Sequence, residues 1–445
     1  MPPDSSEQQS EPRSSLTAAA SGTLAASVLG ALLALVNVVL VARALGPEGR
    51  GEVTFLLTLA AFSAQVGSLG VHEANLNFAA AEGRLTGPLA TNSVVLALVT
   101  GTVTAGAVGL LVALVPAAGG GTDAGLRWLC LAAIPLIVVV FDLRLLITAH
   151  HRFAFVNVAW LLPSLLNAVV NAALFAAGAL TVGLAVGVWL AGQLLVALLF
   201  AAFVVRQLGG FGRPDRALAG RTLGFGVRAN AGRLLNYGNY RLDQLLMGAL
   251  SSQRQLGLYS VAVSWAEALF FLPSALASVQ RPRLVRGTAQ QAGEQTARAF
   301  RMLVLLTAVL AGAMAALAPL LCVGLFGAEF EDSVAQLRVL LLGSFGVVAV
   351  KLLGTTLTAR GLPLRETAAI AVAFGCTITL DLLLIPAYGG MGAAIASTVA
   401  YAAGGATIVV IFARALDVAP LLLVPRVGDA RQLAGLPRRL LRERG

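Results

Sequence analysis

Basic and polar side chains are concentrated between residues 228 and 244, in a segment long enough to be a membrane helix. At 100° per residue, six of them fall within one stripe roughly 100° wide: Asn230, Arg233, Tyr237, Tyr240, Arg241 and Gln244. With Arg228, the arginines extend over much of the membrane depth, at about 1.5 Å per residue. Guanidinium groups bind anions with several oxygens, such as a phosphate or diphosphate. We therefore predict a cavity for such an anion, lined by Arg228, Arg233, Arg241, Tyr237, Tyr240 and Gln244.

The same helix has a second polar face, formed by Asn236, Asn239 and Asp243. Lipid does not tolerate polar groups on two sides of a helix, so we expect one face to line a water-filled space and the other to contact a helix. A purely structural salt-bridge network is the open alternative to the cavity. Its acidic partners would be Asp142, Asp243, Glu267 or Asp381.

Other ionisable side chains also lie inside apolar segments: Asp142, Arg144, Glu267, Lys351 and Asp381. Such groups are costly in a membrane and usually face a cavity or a partner. Lys351 and Glu267 are candidates for a proton or cation relay, because burial shifts their pKa values readily. Asp243 and Asp381 are further candidates for coupling to Na⁺ or H⁺, or for gating. Simple pairing with neighbouring side chains is the alternative.

Patterns typical of enzymes are absent from the sequence. The histidines, His72, His150 and His151, have no Asp or Glu at metal-ligand spacing, and the three cysteines are isolated in apolar runs. No glycine-rich phosphate-binding loop of an ATPase occurs, and the Gly-x-Gly elements at 46–51 and 389–392 are predicted to form tight turns. We predict a non-enzyme without a metal site or organic cofactor.

The composition requires an integral membrane protein. The 445 residues are 58% hydrophobic and 12% charged, whereas soluble chains carry about 25% charged residues. Twelve stretches are long and apolar enough to span a bilayer: 17–42, 53–72, 88–115, 127–148, 154–177, 180–205, 222–249, 256–279, 299–325, 335–358, 366–386 and 390–413. We expect kinks at Pro135, Pro163, Pro273 and Pro319.

The positions of the 31 Lys and Arg residues predict the orientation. Most fall in the N-terminal tail, the even-numbered connections and the C-terminal tail, which places both termini in the cytoplasm. The net charge of +10 is therefore explained mainly by the basic residues that set the membrane orientation and by contact of the basic tail with lipid. Nucleic acid is not an expected partner. The predicted parts are a disordered tail (1–16), an N-lobe (17–205), a linker (206–221), a C-lobe (222–414) and a basic tail (415–445).

The two lobes contain related sequences in the same order. Ala-Leu-Gly-Pro-Glu-Gly-Arg-Gly-Glu-Val (44–53) is matched by residues 249–259, and TAHHRF (148–153) is matched by TARGLP (358–363). Ala149 and Asn171 have the same 22-residue spacing as Ala359 and Asp381. With six spans each, the lobes are parallel repeats. In this transporter architecture the substrate site lies between the repeats.

Three segments resemble the polysaccharide-flippase branch of the multidrug/oligosaccharidyl-lipid/polysaccharide (MOP) exporter superfamily. They are ARALGPEGRGEV (42–53), RLDQLLMGALSSQRQLGLYSVAVSWAE (241–267) and GGMGAAIASTVAY (389–401). The resemblance covers nearly the whole chain and implies an all-α membrane protein with two six-helix lobes around a central cavity. The family's functional residues can be assigned by position only to Arg241, Asp243 and Glu267.

The implied activity is movement of an undecaprenyl-diphosphate-linked oligosaccharide across the bacterial plasma membrane by alternating access. The implied partners are membrane lipids, that lipid-linked oligosaccharide, and the polysaccharide polymerase and glycosyltransferases of the same pathway.

Three alternatives remain open from the sequence. A cation-coupled multidrug antiporter of the same superfamily would favour an acid-lined cavity, but the helix at 222–249 is mainly basic. A lipid II flippase usually carries two further helices. A membrane glycan polymerase or ligase generally has a large external catalytic loop, whereas every outward connection here is short.

Overall fold

A computed structural model describes residues 13–286, 288–426 and 428–429, and within these it is helical and contains no strand. The predicted tail at 1–12 and the basic tail from 430 lie outside the described residues. The α-helices are α1 (Arg13–Gly67), α2 (Val71–Ala81), α3 (Thr86–Leu114), α4 (Ala124–Ala132), α5 (Ile134–Ala149), α6 (Phe153–Ala176), α7 (Val182–Gln207), α8 (Arg216–Leu250), α9 (Gln253–Ala268), α10 (Phe271–Arg286), α11 (Ala289–Pro319), α12 (Asp332–Ala359) and α13 (Pro363–Ala415).

Two of these helices each contain two membrane spans. Helix α1 bends at Gly46 (φ 66°) and α13 bends at Gly389 (φ 55°), as the Gly-x-Gly elements predict. A Cβ atom on Gly392 would lie 2.3 Å from the carbonyl oxygen of Leu384. Eight residues of straight helix rise about 12 Å, so the chain turns sharply here, and only glycine fits this approach.

The predicted number of spans agrees with the structure. Among the described residues, nine helical stretches are long and apolar enough to cross a membrane. Helices α1 and α13 each contribute two spans because of their bends, and α8 is the further span, which brings the number to twelve. Its polar stripe makes it too hydrophilic to be recognised by hydropathy alone.

The structure kinks two predicted spans, as their prolines predict, and shifts two helix starts relative to the predicted segments. The span at 127–148 divides between α4 and α5 at Ala133, just before Pro135, and the span at 256–279 divides between α9 and α10, just before Pro273. Proline lacks the N–H that would continue the preceding helix. The linker is only 208–215, because Asp215 accepts a hydrogen bond from the Leu218 N–H and caps α8. Helix α1 begins at Arg13, within the predicted tail.

The repeated segments of the two lobes contact each other directly. A Cβ atom on Gly51 would lie 1.8 Å from the Gln253 carbonyl oxygen, and one on Gly257 would lie 1.8 Å from the Pro47 carbonyl oxygen. Gly51 and Gly257 are 206 positions apart, and so are Pro47 and Gln253. The crossing is therefore reciprocal, as expected for a two-fold-related pair. We call it the glycine crossing, and it closes the lobes at their predicted outer end.

Further contacts join the lobes at both ends. At the predicted outer end, Arg43 donates to the carbonyl oxygens of Leu325 (2.6 Å) and Gly324 (2.9 Å). At the predicted inner end, a Cβ atom on Gly70 would lie 2.3 Å from the Gly226 carbonyl oxygen. The two lobes are therefore in contact near both membrane surfaces along the α1–α2 and α8 side.

Candidate functional site

Helix α8 presents its predicted stripe partly to the N-lobe and partly to the C-lobe, where the Tyr240 ring lies 5.8 Å from the Phe270 ring centroid. The Tyr237 ring stacks on Phe62 with a centroid distance of 6.0 Å, and Gln244 Oε1 accepts a hydrogen bond from Thr58 at 3.0 Å. The stripe therefore lies between the lobes, where the parallel-repeat architecture predicts the substrate site.

Two of the three predicted arginines are paired with acids. Arg233 Nη1 lies 2.7 Å from Glu73 Oε1, and Arg241 forms a bidentate pair with Glu267 at 2.7 and 3.1 Å. Arg228 is exposed at the predicted inner end and donates to the Gly224 carbonyl oxygen. The three guanidinium groups are thus not an unpaired ladder, because ion pairs neutralise the two deeper ones.

The Arg233–Glu73 pair joins the two lobes and remains accessible. Glu73 belongs to α2 of the N-lobe, and the Arg233 side chain is 53% exposed. Ion pairs with exposed members contribute little stability because solvent screens them. An anion with several oxygens can therefore replace Glu73 as the partner of Arg233 at little cost in free energy.

The second polar face of α8 contacts helices of the C-lobe, as predicted. Asp243 is buried and accepts hydrogen bonds from Tyr259 Oη at 2.5 Å and from the Gln244 N–H at 2.7 Å. Tyr259 Oη also lies 3.1 Å from Ser397 Oγ. Hydroxyl and amide donors thereby hold this carboxyl group in place.

Asp381 lies close to this cluster and is fully buried. Neither of its carboxyl oxygens has a hydrogen-bond partner among the described residues, and it is within electrostatic range of Asp243. One turn earlier on α13, Thr377 donates to Asn239 at 2.7 Å. A buried carboxyl group without a partner is expensive. Oxygen donors in this arrangement can hold a proton or a small hard cation.

The two members of the predicted relay have different direct partners, although Lys351 stays within electrostatic range of Glu267. Glu267 is bound to Arg241, whereas Lys351 Nζ donates to Ser274 Oγ at 2.8 Å. The Lys351 ammonium lies 5.9 Å from the ring centroids of Tyr240 and Phe270. It faces a cavity of about 320 Å³ that Asn236 also lines. Lys351 is therefore a positive charge beside aromatic rings in the C-lobe.

Sequence reasoning missed several residues of this region. Glu73 is one, because it follows a predicted span and carries no motif. The contact between His72 and Asp142 is another: the His72 Nδ1 lies 3.8 Å from Asp142 Oδ1, and both side chains are buried. Arg144 was recognised as an intramembrane charge, but its stacking on Trp160, 4.4 Å from the ring centroid, has no sequence signal.

The other histidines lie outside the membrane spans. His150 Nε2 is 2.8 Å from Thr86 Oγ1 in the turn between α5 and α6. Burial lowers the pKa of His150, and the neighbouring His151 and Arg152 charges lower it further. Among the described residues, no group of three or more His, Cys, Asp or Glu side chains is arranged to hold a metal ion.

The sequence model of a known family, described as polysaccharide biosynthesis protein, matches residues 16–287. The chain belongs to this family. The match includes all of the N-lobe spans and the α8–α9 region that carries Arg233, Arg241 and Glu267. It confirms the resemblance inferred from the sequence. No curated protein sequence matches this family member.

Solved structures with the same fold are distant in sequence. The "Lipid II flippase MurJ, inward closed conformation" has a TM-score of 0.73 at 13% identity and covers 92% of this chain and 89% of its own. An inward-facing multidrug resistance MATE family transporter of the MOP superfamily has a TM-score of 0.67 at 14% identity, covering 92% and 96%. The MATE multidrug transporter DinF-BH has a TM-score of 0.64 at 16% identity, covering 91% and 96%.

These likenesses confirm the two-lobe, twelve-helix fold of the MOP superfamily. This member of the polysaccharide biosynthesis protein family is therefore a multi-pass membrane protein with a transporter fold. An outward-facing MATE transporter gives a lower TM-score, 0.55.

Proposed function

We propose that this protein flips an undecaprenyl-diphosphate-linked oligosaccharide from the cytoplasmic to the outer leaflet of the bacterial plasma membrane. The observation that carries the proposal is the accessible Arg233–Glu73 pair between the lobes, with Arg144 in electrostatic range of both. Two guanidinium groups beside one carboxylate leave a net positive charge at the interface. A diphosphate complements that charge.

Binding of the substrate begins at the predicted inner end, near the exposed Arg228. The diphosphate displaces Glu73 and takes the two Nη groups of Arg233 in a bidentate contact. The polyprenyl tail stays in the bilayer at the gap between the lobes. Loss of the Arg233–Glu73 pair removes one connection between α2 and α8, which makes the closed arrangement less favourable.

Translocation then requires the outer contacts to open. The glycine crossing and the Arg43 hydrogen bonds separate as the lobes rock, while the existing contact between Gly70 and Gly226 keeps the predicted inner end closed. Arg241 lies about 12 Å further along α8 than Arg233, at 1.5 Å per residue. It is the next guanidinium group on the outward path of the diphosphate.

Coupling to an ion is assigned to the C-lobe carboxyl groups. Asp243 and Asp381 are buried near each other, and the hydroxyls of Thr377 and Ser397 supply further oxygen atoms. Binding of Na⁺ or H⁺ neutralises this charge. The tilt of α8 relative to α13 then differs between the loaded and empty states, which gives the differential affinity that coupling needs.

The proposal is tested with purified protein in liposomes containing fluorophore-labelled polyprenyl diphosphates, with and without an attached sugar. A membrane-impermeable reductant bleaches only the outer-leaflet probe, so movement between leaflets increases the bleached fraction. We expect movement of a diphosphate probe by the wild type, and its loss in the Arg233→Ala, Arg241→Ala double variant. Arg84→Ala is the matched control, because Arg84 pairs with Glu82 on the exposed surface outside the cavity.

Wild-type movement of phosphatidylcholine but no diphosphate probe, or full activity of the correctly inserted double variant, contradicts the proposal. The second candidate function is cation-coupled drug export, which the buried Asp243 and Asp381 carboxyl groups favour. Ion-dependent movement of a cationic dye, without movement of any diphosphate probe, identifies that function.

A further inference from the structure

The N-lobe contains a cavity that shares only Arg144 with the proposed diphosphate site. Its inner chamber is about 660 Å³ and its outer chamber about 320 Å³. Both are lined by Ala34, Trp160 and Ser164, so they adjoin at this point. The lining follows α1 from Ala26 to Val38, a length of about 18 Å at 1.5 Å per residue.

The lining combines aromatic faces with amide groups. Trp160 is 45% exposed, and Trp189 lies at the outer chamber with the amides of Asn37, Asn167 and Gln193. Amide side chains inside a membrane protein are unfavourable unless they have partners or a function. Asn167 donates to the Pro163 carbonyl oxygen at 2.7 Å, and Asn37 accepts from Asn171 at 2.6 Å. Each amide retains further hydrogen-bonding capacity.

The charge of the cavity selects against cations. Among the described residues that line the two chambers, none is acidic, and the charged ones are Arg144 and Arg50. The Arg144 guanidinium stacks on Trp160, and its buried Nε has no hydrogen-bond partner in the described chain. Neutral and anionic ligands are therefore favoured.

A sugar matches this combination better than a lipid tail does. A pyranose ring has a flat C–H face that packs on an indole, while its hydroxyl edge needs donors and acceptors. A lipid tail would leave the remaining donors and acceptors of the three amides unsatisfied, which costs binding energy. Phe271 of the C-lobe also lines the inner chamber, and Arg144 is within electrostatic range of Arg233. The cavity is thus adjacent to the proposed diphosphate site.

We propose that this N-lobe cavity binds the glycan of the lipid-linked substrate, with pyranose rings packed on Trp160 and Trp189 and hydroxyls bound by Asn167 and Gln193. The inference rests on the proposed function and adds to it the site of sugar recognition. The C-lobe then serves the ion, and the interface between the lobes holds the diphosphate.

The test measures binding to the purified full chain in nanodiscs. The probes are farnesyl diphosphate and farnesyl diphosphate linked to glucose, galactose, N-acetylglucosamine or glucuronic acid. We expect at least one sugar-bearing probe to bind about tenfold or more tightly than farnesyl diphosphate, as for one or two well-formed buried contacts. Trp160→Ala with Trp189→Ala removes this preference. Trp189→Ala alone reduces it and leaves farnesyl diphosphate binding within about twofold, because Trp189 lines the chamber that lacks Arg144.

Three further variants distinguish a loss of sugar binding from misfolding of the protein. Gln193→Leu preserves volume and should also reduce the preference. Trp128→Ala is the matched control, because Trp128 is 51% exposed and lies outside both chambers. Arg233→Ala should show the opposite pattern, with loss of farnesyl diphosphate binding.

The outcomes separate the two proposals. Arg233-dependent binding of farnesyl diphosphate without any sugar preference, or a preference that survives in the double tryptophan variant, overturns the glycan site alone. A tryptophan-dependent sugar preference without Arg233-dependent diphosphate binding supports the glycan site and overturns the diphosphate site.

Discussion

The glycine crossing leads to a specific prediction about the resting state. A Cβ atom on Gly51 would lie 1.8 Å from the Gln253 carbonyl oxygen. Even a tight contact needs 3.0–3.4 Å, so the backbones of Gly51→Ala must separate by about 1.2–1.6 Å. Overpacking of this size costs about 1–3 kcal/mol. A shift of about 2 kcal/mol changes a two-state ratio roughly 30-fold, and we expect it to favour opening of the outer end.

The assay is a distance measurement between spin labels at Ala179→Cys and Tyr388→Cys, in a background without the native cysteines. Both sites are exposed at the predicted outer ends of the N-lobe and C-lobe. Gly51→Ala should shift the distance distribution to longer values. Gly257→Ala should give the same result, because its Cβ atom would lie 1.8 Å from the Pro47 carbonyl oxygen.

Gly106→Ala is the control, because nothing lies within 4 Å of its added Cβ atom. A folded Gly51→Ala protein with the wild-type distance distribution would refute the reasoning that this contact holds the outer end closed. Opposite shifts for Gly51→Ala and Gly257→Ala would refute the two-fold equivalence of the two contacts.

Two more predictions concern carboxyl groups. Arg301 binds Asp429 at 2.7 and 3.3 Å, and this hydrogen bonding lowers the pKa of Asp429 below 3.8. The stabilisation of the folded state by this ion pair is fully present above the unfolded-state pKa of Asp429. It is lost as the pH falls through the folded-state pKa of Asp429. Asp429→Asn should therefore lower the melting temperature at pH 7 but much less at pH 3, and an equal loss at both would contradict this. Asp381→Asn should abolish thermal stabilisation of the protein by Na⁺ or low pH, whereas Asp417→Asn, at an exposed position, should retain it. Persistence of the ion effect in Asp381→Asn would remove this residue from coupling.

The fold was largely predictable because its determinants are local along the chain. Apolar runs of about 20 residues identify spans, and Pro135, Pro273 and Gly389 lie at breaks and bends. The structure interrupts helices just before Pro135 and Pro273, and each interrupted stretch still spans the length of a membrane helix.

The candidate site was only partly predictable. The spacing of Arg233, Arg241 and Asp243 gives their angular positions around α8, because helical periodicity is a local property. The partner of Arg233 is 160 positions away in another lobe, and Trp160 meets Arg144 from a different helix. Hydropathy and spacing carry no information about which helix faces which, so Glu73 and Trp160 required the three-dimensional structure.

The side chains at the equivalent positions Asn171 and Asp381 differ between the duplicated halves in hydrogen bonding and in charge. In the N-lobe, the Asn171 amide is bound to Asn37, while the Asp381 carboxyl group in the C-lobe has no partner among the described residues. The Asn171 amide and the Asp381 carboxyl group differ chemically by one nitrogen in place of an oxygen. Only the Asp381 carboxyl group can change its charge. Under the proposed ion coupling, only the C-lobe position therefore changes its charge with the ion gradient, and this inequality distinguishes two otherwise similar lobes.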